Sequence, residues 1–219
     1  MPRKSKTHNK TANRTPLLII GMIGILIAIV MVISAVGQIT PISPQSVSRL
    51  ELDPILGDAN APVTIIEYGA YACSACRAWH QAGIIDNILE AYPNQVRFIF
   101  RDFPVISPNY DRMAAQIAQC ALDQDQPKFW AYHDALYTQV NPNNSQGDLL
   151  ALGESVGLDV TALRTCYEAG IHRQTVQYDE QRARELGLPG TPAFLINGAR
   201  IFNATPEILL TEIEKALNN

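Results

Sequence analysis

Cys73 and Cys76 stand two residues apart in the run Glu67-Tyr68-Gly69-Ala70-Tyr71-Ala72-Cys73-Ser74-Ala75-Cys76. Thiols at this spacing close a disulfide when the first sits at a helix N-terminus and the second lies one turn further in. The chemistry on offer is thiol–disulfide exchange, with Cys73 as candidate nucleophile. A thiol attacks as its thiolate, and the unpaired N–H groups and dipole of a helix start stabilise that anion. The expectation is a depressed pKa and an exposed sulfur at Cys73, with Cys76 shielded. Each unit of depression favours the reduced form by up to about 1.4 kcal/mol, or roughly 30 mV toward a stronger oxidant. Two other readings stay open. The pair could be a structural disulfide, or half of a zinc site in which His80 and either Cys120 or Cys166 complete a tetrahedron.

Further candidates lie on either side. Glu67 closes an apolar run six residues before Cys73. A carboxylate there is costly unless it has a use; the alternative is an edge-strand side chain that reaches solvent. Thr191-Pro192 precedes a second apolar run. By itself it reads as a turn proline with the ordinary trans bond. Cys120 and Cys166 are left over, and an even set in an oxidising compartment reads as a second, structural disulfide; two buried free thiols are the other reading. Trp79 and Trp130 read as core or covering residues, and His80 as part of a solvated helix face. Tyr71 and Ala72 precede the cysteines and could shape access to them.

The elements that must position these residues follow from pattern. Val63 to Tyr68 is β-branched and apolar, a buried strand. Helical character runs from about Cys73 to Ala91, and Gln95 to Arg101 alternates as a second strand. A strand–helix–strand unit at this spacing predicts a parallel pair. Ala114, Ile117, Ala118, Ala121 and Leu122 keep a helical period, and Pro127 opens another helix with Phe129, Trp130, His133, Leu136 and Tyr137 inward. Short helices are expected over Asp148–Val156 and Thr161–Ala169, and a longer one over Ile171–Leu186. Asn197-Gly198 marks a hairpin between Ala193–Ile196 and Arg200–Phe202. Thr205 caps a last helix. The order β-α-β, helices, β-β-α is an α/β, thioredoxin-like fold with a helical insertion at about residues 107–187.

The N-terminal part differs in kind. Residues 1–16 hold Arg3, Lys4, Lys6, Lys10 and Arg14 and no acid; all 21 acidic residues come later. Leu17 to Val36 carries no charge and would span roughly 30 Å as a helix, the thickness of a bilayer core. A basic flank before an apolar stretch keeps the N-terminus in the cytoplasm. The expected organisation is a basic cytoplasmic tail (1–16), a single transmembrane anchor (17–36), a Pro-, Ser- and Gln-containing linker (37–56) and an extracytoplasmic domain (57–219). A cleaved signal peptide ending near Ala35-Val36-Gly37 is the alternative. The chain is 47% hydrophobic and 17% charged, which excludes a disordered class. An acidic soluble part without a Lys/Arg-rich patch gives no reason to expect nucleic-acid binding.

Gly57-Asp58-x-x-Ala61-Pro62-Val63, Glu67-Tyr68, Cys73-x-x-Cys76, Phe129-Trp130, Gly190-Thr191-Pro192 and Asn197-Gly198, in this order and spacing, resemble the DsbA-like branch of the thioredoxin superfamily, in particular its membrane-anchored, BdbD-like bacterial forms. The resemblance covers about residues 57–217. It implies a dithiol–disulfide oxidoreductase that introduces disulfides into cysteine-containing exported proteins. It implies a buried acid at Glu67 that moves protons to and from Cys76, and a cis bond at Thr191-Pro192 that leaves the Thr191 backbone free for an extended substrate. It also implies reoxidation by a membrane quinone-linked partner of the DsbB or vitamin K epoxide reductase type. No cofactor or metal is expected, because the disulfide is itself the redox group. Strong oxidants of the branch often carry Pro-His where this chain has Ser74-Ala75. A reductase or isomerase on the same scaffold, or a non-catalytic binding or chaperone module, are the alternatives.

Overall fold

The computed structural model describes residues 53–139 and 141–218. The expected tail, the Leu17–Val36 anchor and nearly all of the linker lie outside the described residues. Among the described residues, no helix is long and apolar enough to cross a membrane.

A five-stranded sheet carries the fold. In chain order it contains β1 (Ile55–Gly57), β2 (Val63–Gly69), β3 (Val96–Asp102), β4 (Ala193–Ile196) and β5 (Ala199–Ile201), arranged in space as β1-β3-β2-β4-β5. The β2–β3 pair is parallel, as the strand–helix–strand spacing predicts, and the other pairs are antiparallel. β2 is therefore the centre of the sheet, buried on both faces, which is why its sequence is an apolar run rather than an alternation. Its register sets Glu67 opposite Phe100 on one side and Phe194 on the other.

The helix expected from Cys73 to Ala91 is two helices, α1 (Ser74–Gln81) and α2 (Ile84–Ala91). Gly83 adopts φ 62° between them, and its N–H donates to the His80 carbonyl at 2.9 Å. Glycine alone enters the left-handed region at little steric cost, so the chain turns there and starts a new helix. The Asn197-Gly198 hairpin forms as expected, with φ 47° and 83°. Asn197 Oδ1 also accepts from the Thr64 N–H at 2.8 Å, which ties the turn to β2.

Between β3 and β4 the chain forms α3 (Pro108–Leu122), α4 (Gln126–Thr138), α5 (Gln146–Ser155), α6 (Val160–Glu168) and α7 (Arg173–Glu185); α8 (Pro206–Leu217) ends it. Thr205 caps the last helix as expected, accepting from the Ile208 N–H; Asp125 accepts from the Lys128 N–H, and Ser145 and Asp148 form a reciprocal capping box. The main core joins Val63, Ile65, Phe98, Phe100 and Phe194 to Phe129, Leu136 and Ile117 of the helices. Tyr68, Phe103, Ala183 and Leu195 form a smaller cluster that Ile66 also packs against. Strand alternation thus turns Ile65 and Glu67 toward the main core and Ile66 and Tyr68 toward the smaller one.

Strand β1 has no signal in the sequence, because its partners are far away in the chain. The Trp130 indole N–H donates to the Ile55 carbonyl at 3.1 Å, and Gln126 binds both the Ile55 N–H and the Asp53 carbonyl. Arg101 Nη2 reaches Asp53 Oδ2 at 2.7 Å. Helix α4 and strand β3 together pin this edge.

Cys120 at the end of α3 is bonded to Cys166 of α6, across 46 residues of sequence. In the chain-entropy description, closing a loop of this length stabilises the fold by roughly 4 kcal/mol. A Cys120→Ala, Cys166→Ala double variant is expected to lose about 2–4 kcal/mol of that. Urea unfolding of both proteins under oxidising conditions measures it. Equal midpoints would show that the bridge does not hold the insertion together.

Candidate active site

Strand β2 ends at Gly69, and the backbone reverses through Ala70-Tyr71-Ala72 into α1. Cys73 is the N-cap of that helix: its backbone is extended, and its sulfur accepts from the Cys76 N–H at 3.2 Å. The Cys73 N–H returns to the Ala70 carbonyl at 3.0 Å. The turn is held from outside by Asp111, whose Oδ1 accepts from the Ala72 N–H at 2.8 Å. Its Oδ2 accepts from the N–H groups of Ser107 and Ile106 at 2.7 and 3.1 Å. Asp111 is 1% exposed. In the sequence it is one more acid in the first turn of a helix; only the approach of α3 to the Tyr71-Ala72 turn reveals its role.

Both thiols are free in this structure. The sequence led to an exposed Cys73 sulfur, yet Cys73 is 4% exposed and Cys76 1%. The difference is the cover supplied by the Thr191-Pro192 loop. That peptide bond is cis, as the resemblance implies. β4 pairs with β2 next to it, with Ala193 opposite Tyr68. This register brings the Thr191 carbonyl to the cysteines, where the Cys73 thiol donates to it at 3.3 Å.

The electrostatics of the two sulfurs diverge. The hydrogen-bonding partnership with Cys76 draws the Cys73 pKa down to about 6, helped by Thr191 and by the backbone N–H groups of Cys76 and Ala75, and opposed by burial. Burial pushes Cys76 far up, and the neighbouring charges of Glu67 and Cys73 push it further. Ser74 and Ala75 are exposed. Ala75 contributes through its N–H, so backbone donors at the helix start do part of the work that a side chain between the cysteines would do. A depressed group of this kind favours the reduced form fully above the ordinary thiol pKa, and the advantage disappears as pH falls through about 6.

Glu67 is 6% exposed on the central strand, which excludes the edge-strand reading. It lines a cavity of about 150 Å³ with Cys76, Trp79, His80, Trp130, His133 and Tyr137. Burial, and then the charge of Cys73, raise its pKa to about 8, so the carboxyl is protonated at neutral pH. His133 is buried, its Nδ1 lies 3.2 Å from the Tyr71 hydroxyl, and burial with the nearby His80 holds its pKa well below the usual range. The buried acid and the buried imidazole on the cavity wall are thus both neutral at pH 7. His80, expected on a solvated face, is only 27% exposed and lies 3.6 Å from Asp134. The spacing of α4 placed Trp130, His133 and Tyr137 inward, but not around Glu67. Trp79 also packs on Phe194, with ring centres 4.6 Å apart, at the edge of an apolar groove shared with Leu188, Pro192, Ile201 and Phe202.

The zinc reading required Cys120 or Cys166 to join Cys73, Cys76 and His80. Those two cysteines are bonded to each other instead. The site that assembles is a dithiol above a buried acid, beside a cis-proline loop. It is suited to exchanging a disulfide with an extended partner.

The sequence model of a family described as Thioredoxin matches residues 50–215. A protein of Bacillus anthracis named "Probable disulfide bond formation protein D" is 26% identical over 170 residues, 74% of this chain and 77% of that one. Among solved structures, oxidised BdbD from Bacillus subtilis has a TM-score of 0.69 at 24% identity, over 78% of this chain and 95% of its own. A thioredoxin-like oxidoreductase from Silicibacter pomeroyi DSS-3 has a TM-score of 0.65 at 28% identity, over 76% and 92%.

In the reduced protein, alkylation of Cys73 is expected to follow a titration with its midpoint at about 6, against about 8.5 for a free thiol. Cys76 should stay unlabelled. Iodoacetamide rates from about pH 4 to about pH 9, with the labelled residue identified by mass spectrometry, measure this. A midpoint near 8.5 at Cys73 would contradict the activated thiolate.

Proposed function

Because the chain belongs to the thioredoxin family, in its DsbA-like branch, and is a protein dithiol–disulfide oxidoreductase, we propose that it introduces disulfides into exported, cysteine-containing proteins outside the cytoplasm. The observation that carries the direction is the opposed pair of shifts: Cys73 lowered to about 6, Cys76 raised. A leaving thiolate at Cys73 that is stable at neutral pH favours the reduced protein, and a protein stable when reduced is an oxidant of others. The apolar Leu17–Val36 stretch behind a basic flank supports a single-pass anchor with the domain on the outer side.

The oxidised pair reacts in two exchanges. A substrate thiolate attacks Cys73 Sγ, the Cys73–Cys76 bond breaks, and a mixed disulfide forms. Cys76 leaves with the electron pair and takes a proton. Glu67, protonated at neutral pH and on the wall of the same cavity, is the group that supplies it. The second substrate thiolate then attacks the substrate sulfur of the mixed disulfide, releasing Cys73 as thiolate and the substrate as disulfide. The Thr191 backbone beside the cis-proline, with the Trp79–Phe202 groove next to it, offers an extended segment a strand-like seat. Return to the disulfide removes two electrons and the one proton held by Cys76, since Cys73 is already a thiolate at neutral pH. A membrane quinone-linked partner of the DsbB or vitamin K epoxide reductase type is the acceptor this chemistry calls for.

Equilibration with glutathione buffers is the direct test of direction. The expected potential lies well above the reducing thioredoxin value of about −270 mV; a result at that value would make the protein a reductase. Glu67→Gln tests the proton donor. With Glu67 raised to about 8, wild-type stability declines as pH climbs from the ordinary carboxyl range through about 8, because the buried group must ionise. The Gln variant lacks that decline, so it should be at least as stable at alkaline pH while its exchange with a dithiol peptide slows by about 10²-fold. Unchanged exchange at pH 7 would remove Glu67 from the reaction.

A further inference from the structure

A second cluster of reactive groups lies in the helical insertion and shares no residue with the Cys73–Cys76 site. Cys120 lies in the last turn of α3, Asp123 just beyond it, Cys166 on α6, and His172 at the start of α7. The sulfurs of Cys120 and Cys166 and a ring nitrogen of His172 all lie within 4.8 Å of one another. Asp123 Oδ2 stands 2.7 Å from His172 Nε2 and 3.6 Å from the Cys166 sulfur. We propose that the Cys120–Cys166 disulfide is the oxidised form of a metal site. On reduction, Cys120, Cys166, His172 and Asp123 become a four-donor set for a divalent cation of the zinc class.

The donor set and its setting both fit. Two thiolates, an imidazole and a carboxylate are ligands that zinc accepts in tetrahedral sites, at about 2.0–2.3 Å each. Such a site sets its donor atoms roughly 3–4 Å apart, so parting of the two sulfurs is the main adjustment. His172 Nδ1 faces the Thr175 hydroxyl at 3.5 Å, which orients the ring and leaves Nε2 toward the cluster. An opening of about 340 Å³, lined in part by Asp123, Gln124, His172 and Thr175, reaches two of the four donors, Asp123 and His172, from solvent. The two helices that carry the cysteines are also joined without the disulfide. The Gln124 amide donates to the Asp159 carbonyl at 3.1 Å and accepts from the Asp159 N–H at 3.0 Å. That clasp fixes the end of α3 to the start of α6, so the donors keep their neighbourhood when the sulfur–sulfur bond opens.

The chemistry balances with a dithiol donor. Two electrons break the Cys120–Cys166 bond, the donor becomes a disulfide, and its two protons pass to Cys120 and Cys166 as thiols. The cation then displaces both protons and binds two thiolates, neutral His172 and the Asp123 carboxylate. The 46-residue loop that the disulfide closes is closed again by the metal. The cross-link thus survives reducing conditions, and the insertion acquires a state that depends on metal supply.

The test uses the full chain in detergent with Cys73→Ser and Cys76→Ser, reduced by a tertiary phosphine without oxygen and titrated with cobalt(II). One cobalt per chain is expected, with a thiolate-to-cobalt absorption that zinc removes by displacement. His172→Ala and Asp123→Asn, both of which leave the cysteines in place, should each weaken binding by at least about tenfold. Zinc should raise the melting temperature of the reduced protein and leave the oxidised protein unchanged. Absence of the absorption overturns the proposal. So does cobalt affinity equal to the parent's in both variants, since that is binding by thiols alone. If the reduced chain has lost its unfolding transition, restoration by zinc supports the site, and failure to restore it overturns it.

Discussion

A sulfur that is to carry negative charge inside a protein needs donors fixed in place before the charge arrives. Here they come from the first turn of one helix. Beside the hydrogen bond from the Cys76 thiol, which contributes most, the Cys76 N–H points at the Cys73 sulfur at 3.2 Å and the Ala75 N–H adds to it. These N–H groups have no partner within the helix, so offering them to a thiolate sacrifices no backbone hydrogen bond. Everything else at the site keeps that helix start where it is. Asp111 holds the turn before it, β2 delivers the chain to it, and the Thr191 loop covers it.

The second constraint is asymmetry. Two thiols of similar intrinsic acidity become a leaving group and a shielded partner because one is met by hydrogen-bond donors at the helix end and the other is buried, with a carboxyl on the same cavity wall. Glu67 occupies the central strand of the sheet, between Phe100 and Phe194. A protonated carboxyl is the state that this surrounding permits, and it is the state that can give a proton to Cys76. The cost of burying the acid and the capacity to donate are the same physical fact.

Much of this is legible in the sequence. The Cys73-x-x-Cys76 spacing, the apolar run before it and the helical character after it identify exchange chemistry through local rules of helix ends and strand propensity. The insertion helices and their caps follow the same rules, which act over a few residues. The break at Gly83 lies in plain view as a glycine, but a single glycine inside an apolar helical period does not by itself end a helix. Strand β1 was not legible, because Ile55 is paired through Trp130 and Gln126, more than 70 residues away in the chain. The role of Asp111 is hidden for a similar reason: Ser107 and Ile106 are its neighbours in the chain, but the Tyr71-Ala72 turn that it holds lies in another segment, before β3.

The sequence by itself determined which chemistry the chain can perform, since residue type, spacing and helix phase are local properties. It also marked Glu67 and Thr191-Pro192 through family resemblance, with no means of bringing them to the cysteines. The tertiary structure alone decided that a central strand buries Glu67 beneath Cys76, and that the antiparallel register of β4 lays Thr191 over Cys73. It also decided that Cys120 and Cys166 face each other rather than the active pair. Those outcomes depend on contacts between segments tens to more than a hundred residues apart, and no local propensity encodes such a meeting. Only the packing of the sheet and its helices sets the distances at which a proton or a disulfide can move.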